Sequence, residues 1–353
     1  MSKGQVMENI LILLHVEEAG NSLSRSAFEV VAAAVELSKN LNASLTIGII
    51  GDGASEAAES VSGTGAHILT VNGSEFSLPR YASDAAAAEA LCKKAEPTLV
   101  LAPATSRFNR VLPGVAHRLQ GCVDTHITAI DSTQGLSVTR WFYKQRIEGQ
   151  LQRSARPWFV LLEAGIRPEW RGAPAPTNVQ AVEVIVPSSR TRVVGVRAPR
   201  LDEQTIRPDA KLLFVAGAGW TKKQADGQVH AKDAQRLIRD ILRLSGASLG
   251  SSKSLVDQST DQQSVLSFMS HLNQVGQTGS TPRHPKGLST CCHGEEPHVV
   301  GWRFINERRA INLDPNCGWA RGKADVLYVA DAFQVVEKLL AILAEKTMAT
   351  AVR

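Results

Sequence analysis

At 353 residues the chain is long for one compact domain, so two domains is the default count. Its 43% apolar and 21% charged residues are the balance of a soluble globular protein, and apolar runs such as Ile10–Leu14 and Phe159–Leu162 are far too short to span a bilayer. Lys and Arg exceed Asp and Glu by 39 to 34, a surplus that a solvated surface absorbs; neither a Lys/Arg run nor an aromatic-and-Arg pattern argues for nucleic acid. No basic stretch followed by a long apolar core opens the chain, and its five cysteines form no C-x-x-C pair. The expectation is a cytoplasmic protein with reduced thiols, not embedded in a membrane.

Ile10–Leu14 is an apolar run between polar residues and predicts a buried strand. Ser24 or Ser26 is placed to cap the next helix, where Phe28, Val31, Ala32, Val35 and Leu37 form an apolar stripe. Ser44–Ile50 predicts a strand closed by the Gly51-Asp52-Gly53 turn. An Ala-rich helix around Ala54–Val61, the strand His67–Val71, a helix Ala85–Ala95 capped by Ser83 or Asp84, and the strand Thr98–Pro103 continue the alternation. Such alternation predicts a parallel sheet covered on both faces. Thr105 and Ser106 follow that last strand, where open α/β sheets place ligands. A hydrogen-bonded turn before a helix through Val111–Leu119 is the other reading. Beyond Asp124, strands over Ile127–Asp131, Leu136–Phe142, Gln150–Arg153, Pro157–Glu163 and Val182–Val186 predict a mixed sheet completing an N-terminal domain, residues 1–205.

Thr191–Pro208, rich in Arg and Pro, reads as the crossover into a second α/β domain, residues 206–353. Leu212–Val215 with Ala216-Gly217-Ala218-Gly219 predicts a strand and glycine turn. Asp233–Leu244 predicts a helix with Leu237, Ile238, Ile241, Leu242 and Leu244 on its apolar side. Ser248–Val256 leads into a second strand, Leu266–Leu272 reads as a short helix, and Arg309–Leu313 and Val326–Tyr328 as strands. The Phe333–Leu343 helix carries a core-facing stripe of Phe333, Val336, Leu339, Leu340 and Leu343.

Between these elements lies Gln274-Val275-Gly276-Gln277-Thr278-Gly279. Gly276 and Gly279 permit positive φ and leave backbone N–H groups uncovered, so the turn can wrap an anion. Thr278 adds a hydroxyl, and the two glutamines add amides that donate and accept. The loop suits a nucleotide diphosphate; an ordinary polar surface turn is the alternative. His15, Asp52 and Asp131 are too scattered for a catalytic triad, and neither a G-x-S-x-G elbow nor a P-loop is present. Cys291, Cys292, His293, His298 and Cys317 are metal-type ligands, but their spacing matches neither a zinc ribbon nor a ferredoxin. Buried thiols are the preferred reading, and no metal is expected.

Taken together, several stretches resemble the α subunit of the electron transfer flavoproteins. Leu99-Val100-Leu101-Ala102-Pro103-Ala104-Thr105, Leu112-Pro113 and Val123-Asp124 are similar to that family's strand, turn and helix in the first domain. Gly250-Ser251-Ser252-Lys253-Ser254-Leu255-Val256-Asp257 resembles its Gly-x-Ser-Arg-x-x-Val-Asp segment, and Gln274–Gly279 its Q-V-G-Q-T-G loop. Ala310-Ile311-Asn312-Leu313-Asp314-Pro315 resembles its A-I-N-x-D-P.

The resemblance implies an N-terminal nucleotide-binding-like α/β domain that docks a β subunit, and a C-terminal FAD/NAD-binding-like α/β domain holding one FAD. It implies a heterodimer that carries electrons from a donor flavin dehydrogenase to an acceptor of the membrane quinone reductase type, without substrate chemistry of its own. The flavin supplies the redox chemistry. Gln274, Val275, Gly276, Gln277, Thr278 and Gly279 are implied to line it, with Thr278 near its reactive N5. Ser252 is implied to contact the cofactor and Lys253 to lie over or beside its ring. His298, with His293 and Gly294 before it, is implied at the pyrimidine edge, and Asn312 and Asp325 at the adenosine half.

Departures from the family pattern bear on cofactor binding. Lys253 replaces an arginine and loses its planar fork. Ala218 stands where an arginine is usual, and Glu295-Glu296-Pro297 brings negative charge and a missing N–H close to the expected pyrophosphate. They leave open a rival reading, a flavin-free nucleotide-binding or scaffold subunit of a dehydrogenase complex.

Overall fold

The computed structural model describes residues 7–17, 22–133, 135–142, 147–188, 191–197, 206–207, 209–257, 266–275, 283–290, 305–316 and 324–351. The chain folds as two compact units, Met1–Arg197 and Ala198–Arg353, dividing ahead of the 205/206 boundary expected from sequence.

The strands of the first unit are β1 (Asn9–His15), β2 (Ser44–Gly51), β3 (His67–Asn72), β4 (Leu99–Pro103), β5 (Cys122–Asp131), β6 (Ser137–Phe142), β7 (Ile147–Leu151), β8 (Trp158–Leu162) and β9 (Val179–Ala181). Among the described residues they form one sheet of nine strands in the order β7-β6-β5-β8-β4-β1-β2-β3-β9. Pairing is parallel from β5 through β8 to β9, and antiparallel in β5-β6-β7. The central strands read as continuous apolar runs because both faces are covered. Ile10, Ile12 and Leu14 enter the core beneath α1 (Arg25–Leu41). Leu11 and Leu13 enter the opposite core beneath α3 (Tyr81–Ala95) and α4 (Ser106–Arg118).

Several elements differ from the sequence reading. Ser24 caps α1, and its buried line runs through Ala27, Val30, Val31, Ala33, Ala34 and Leu37, leaving Phe28 and Val35 partly buried. The helix expected over Ala54–Val61 is one α-turn, α2 (Ala54–Ala57), continued as a 3-10 helix to Thr64. Helix α3 starts at Tyr81, before the expected caps, because Asp84 is wanted inside it: its carboxylate takes the Arg80 N–H at 3.1 Å and two guanidinium bonds from Arg107 at 2.6 and 3.0 Å. That pair is almost fully buried. The last strand is Val179–Ala181, paired with Ile68–Thr70; Val182, Val184 and Val186 instead lie against the second core without strand pairing.

In the second unit, β10 (Leu212–Ala216), β11 (Ser248–Ser251), β12 (His284–Thr290), β13 (Ile305–Asn312) and β14 (Val326–Val329) form a wholly parallel sheet in the order β11-β10-β12-β13-β14. Strand β12 has no counterpart in the sequence reading. Pro285 and Gly287 break its pattern, and its place is secured by β10 on one side and β13 on the other. The helices α5 (Ala231–Ser245) and α7 (Ala332–Ala351) cover one face: Ala234, Leu237, Ile238, Ile241 and Val336 meet Phe214 and Ala216 there. Leu213, Val215, Val275, Ile305 and Ala310 fill the other face. The short helix α6 (Lys253–Asp257) follows β11. Of the helix expected over Leu266–Leu272, only a 3-10 turn at His271–Asn273 forms.

Candidate functional site

The chain enters the second sheet at β10, steps to β11 on one side, then returns to β12 on the other. Strand order therefore reverses between β10 and β12, and parallel sheets hold ligands outside their carboxyl ends at such a reversal. At that edge the Gly217 N–H donates to the Thr290 carbonyl at 2.8 Å, and the Ser252 N–H to the Ala216 carbonyl at 2.9 Å. The ends of β10, β11 and β12 are thereby tied together.

Ser251 and Gln274 meet here because the Gln274 segment runs parallel along β11. Ser251 bridges Gln274, and the Val275 N–H donates to the Ser251 carbonyl at 3.0 Å. The Val275 side chain closes the core beneath, against Leu213 and Val215. Ser252 is buried, and its hydroxyl accepts from the Leu255 N–H at 3.3 Å, leaving its own proton to donate. Ser251 Oγ is buried without a hydrogen-bond partner among the described residues. An orphaned hydroxyl at this edge is costly in isolation and suits a polar ligand. Asn312 ends β13, with its side-chain oxygen accepting from the Asp314 N–H at 3.0 Å.

Two expected residues are held in ion pairs. Lys253 is exposed and ion-paired with Asp257 on its own helix, with His271 3.8 Å from that carboxylate. Asp325 stands at the amino end of β14, where it accepts from the Arg308 N–H at 2.7 Å and from its guanidinium at 2.8 Å. The Arg308 bonds hold the Asp325 carboxyl below the usual carboxylate range. Level with Arg308, it is four residues short of Asn312 along the sheet, roughly 13 Å. The structure does not bring Asp325 and Asn312 together.

What lies beside Asn312 is Asp331, which the sequence reading missed. A small cleft is lined by Gln224, Asn312, Leu313 and Asp331, and the Ala330 N–H donates to the Asn312 carbonyl at 3.2 Å. Asp331 also accepts the Phe333 N–H at 2.7 Å at the start of α7. Its signal in the sequence is an acid immediately after an apolar strand. Ala218 is fully buried in the cluster around Trp220, so its methyl serves the core. Gly276, Gln277, Thr278, Gly279, His293, Gly294 and His298 lie outside the described residues, as do Cys291, Cys292, Cys317 and Glu295-Glu296-Pro297.

In the first unit, Thr105 serves the helix. Its hydroxyl accepts the Phe108 N–H at 3.3 Å and lies 3.1 Å from His15 Nε2. Ser106 begins α4 and is exposed.

The hydroxyls at Ser251 and Ser252 and the amides at Gln274 and Asn312 can meet phosphate or hydroxyl oxygens and the Asp331 carboxylate can accept from a hydroxyl, a set that fits a dinucleotide; the Gln224 amide nitrogen is taken by the Gly219 and Lys222 carbonyls. The mixed sheet of the first unit and the parallel sheet of the second define an α/β protein. A family model described as electron transfer flavoprotein domain matches residues 12–189, just over half of the chain and wholly within the first unit. The chain belongs to the electron transfer flavoprotein family. Proteins of that family carry electrons and bind flavin. No curated protein matches the chain. Among the described residues, no helix is long and apolar enough to cross a membrane.

Proposed function

We propose that this chain is the α-type subunit of a heterodimeric electron transfer flavoprotein, holding one FAD in its second unit and docking a β subunit through its first. Its electrons come from a flavin dehydrogenase and pass to a downstream acceptor oxidoreductase, in the cytoplasm. The observation that carries the reading is the Ser251 hydroxyl, without a partner among the described residues, next to Ser252 and bridged to Gln274 at the carboxyl edge of the parallel sheet. When bound, FAD supplies the redox chemistry through its ring. Ser251 and Ser252 would donate hydroxyl hydrogen bonds to the cofactor, and Gln274 with Val275 would flank it. Asn312 orients the adenosine half, with Asp331 rather than Asp325 supplying the neighbouring carboxylate. Lys253 places a cation where the reduced ring gains negative charge.

For Lys253 to serve the ring it must leave Asp257. An exposed helical pair of this spacing is worth only ~0.3–0.5 kcal/mol, so a charged ring competes readily for the ammonium.

The rival, a flavin-free scaffold subunit, draws on the Lys253–Asp257 and Arg308–Asp325 pairs, which occupy two side chains expected at the cofactor. A visible spectrum of the chain purified with its β partner separates the two. Flavin bands that bleach on reduction are expected. A particle that stays colourless after reconstitution with excess FAD refutes the carrier.

A further inference from the structure

A cavity of about 490 Å3 opens in the second unit beside the amino end of β11 and the last turns of α5, lined in part by Arg207, Arg239, Asp240, Arg243, Leu249 and Phe268. That size is typical of a small-molecule site, as is an apolar wall with a few polar groups at its rim. The lining holds three arginines and one aspartate, and Asp209 lies 3.9 Å from Arg207.

The arginines are not equivalent. Arg243 is 3.2 Å from Asp240, and Arg207 donates to the Gly246 carbonyl at 2.8 Å, so both serve the end of α5, where cations suit the helix dipole. Arg239 lies well before that last turn. Its guanidinium stacks over Phe268, 4.8 Å from the ring centroid, and makes no hydrogen bond or ion pair with any described residue. Phe268 is itself buried, so the ring fixes the plane of the guanidinium while its N–H edges remain available.

We propose that this cavity binds a small organic anion, a single carboxylate on a flat apolar body. Arg239 takes the carboxylate in its fork, Arg207 adds charge, and Leu249 and Phe268 receive the apolar body. The anion contacts proposed here use none of the residues named for the flavin, although Asn273, which also lines the cavity, directly precedes Gln274.

The test is calorimetric titration of the full chain with 2-naphthoate, and with the uncharged 2-naphthylmethanol as comparison. Saturable one-site binding of 2-naphthoate is expected. Arg239→Gln, at an exposed helix position, weakens it by roughly tenfold or more, the size of a charged hydrogen bond. The same variant leaves the alcohol within about twofold, and Arg118→Gln in the other unit leaves 2-naphthoate unchanged. Absence of saturable binding, an unchanged affinity in Arg239→Gln, or an equal loss for both ligands overturns the proposal.

Discussion

Gly250 in β11 pairs with Val215 in β10, beneath the segment that carries Gln274 along β11. A Cβ at this position would stand 2.8 Å from Val275 Cγ2, 3.2 Å from Leu213 Cδ1 and 3.3 Å from Val215 Cγ2. Carbon atoms rest ~3.5–4.0 Å apart, so in Gly250→Ala the Val275 methyl must retreat by roughly 1 Å. Val275 is wholly buried and its N–H is bonded to the Ser251 carbonyl, so its retreat pulls Gln274 off Ser251. Overpacking of this kind costs ~1–3 kcal/mol. Urea unfolding, with hydrogen exchange of the β10 and β11 amides to localise the loss, reads that cost in the second unit. Val275→Ala removes the opposing methyl, so the double variant should be less destabilised than the sum of the singles, by ~1 kcal/mol or more. Strict additivity would mean that the two side chains do not compete for the same space, and the account of how Gln274 is held would fail.

Asp84→Ala leaves the buried Arg107 guanidinium unpaired and should cost ~3–5 kcal/mol in urea unfolding; adding Arg107→Leu should recover much of that loss. Burial opposes ionisation of Asp124, but hydrogen bonds from Arg153 and Trp158 and the charges of Arg153 and Arg140 outweigh it and hold its pKa low. A folded value below the unfolded one (~3.9) means that ionised Asp124 stabilises the fold at neutral pH and that this contribution is lost as pH falls through the folded value. Arg153→Gln should therefore flatten the acid limb of a stability–pH profile, and an unaltered limb counts against the ion pair. Asp331→Ser keeps a helix cap but removes the carboxylate, so FAD affinity should drop roughly tenfold or more, whereas Asp325→Asn should change it little. Equal effects in a flavin titration would reject that choice of acid. Lys253→Ala should lower the flavin potential, and an unchanged redox titration would remove the lysine from the ring's surroundings.

What the sequence made legible follows from burial on two faces. Strands β1, β4 and β8 could be read because every residue in them is apolar or nearly so, and each face feeds a different core. Strand β12 could not, since Pro285 and Gly287 are the residues that normally interrupt strands. Its neighbours β10 and β13 supply what its own residues lack. The start of α3 was misplaced for a related reason: Ser83 and Asp84 look like caps locally, and only the distant Arg107 reveals that Asp84 belongs inside. Local chemistry names the residue type, and the partner that fixes its role lies 23 positions away.

The same distinction bears on the residues proposed for the cofactor. Ser252 and Asn312 lie at or just past the ends of β11 and β13, so locating the strands also located them. Asp325 was chosen by local similarity, yet it precedes its strand, and in a parallel sheet preceding means the opposite edge. Val326–Val329 is an apolar run with an acid on either side, Asp325 before it and Asp331 after it. Once β14 is known to run parallel to β13, the polarity of the sheet decides between them. The acid that follows the strand stands at the carboxyl end of the sheet beside Asn312, and the one that precedes it pairs with Arg308.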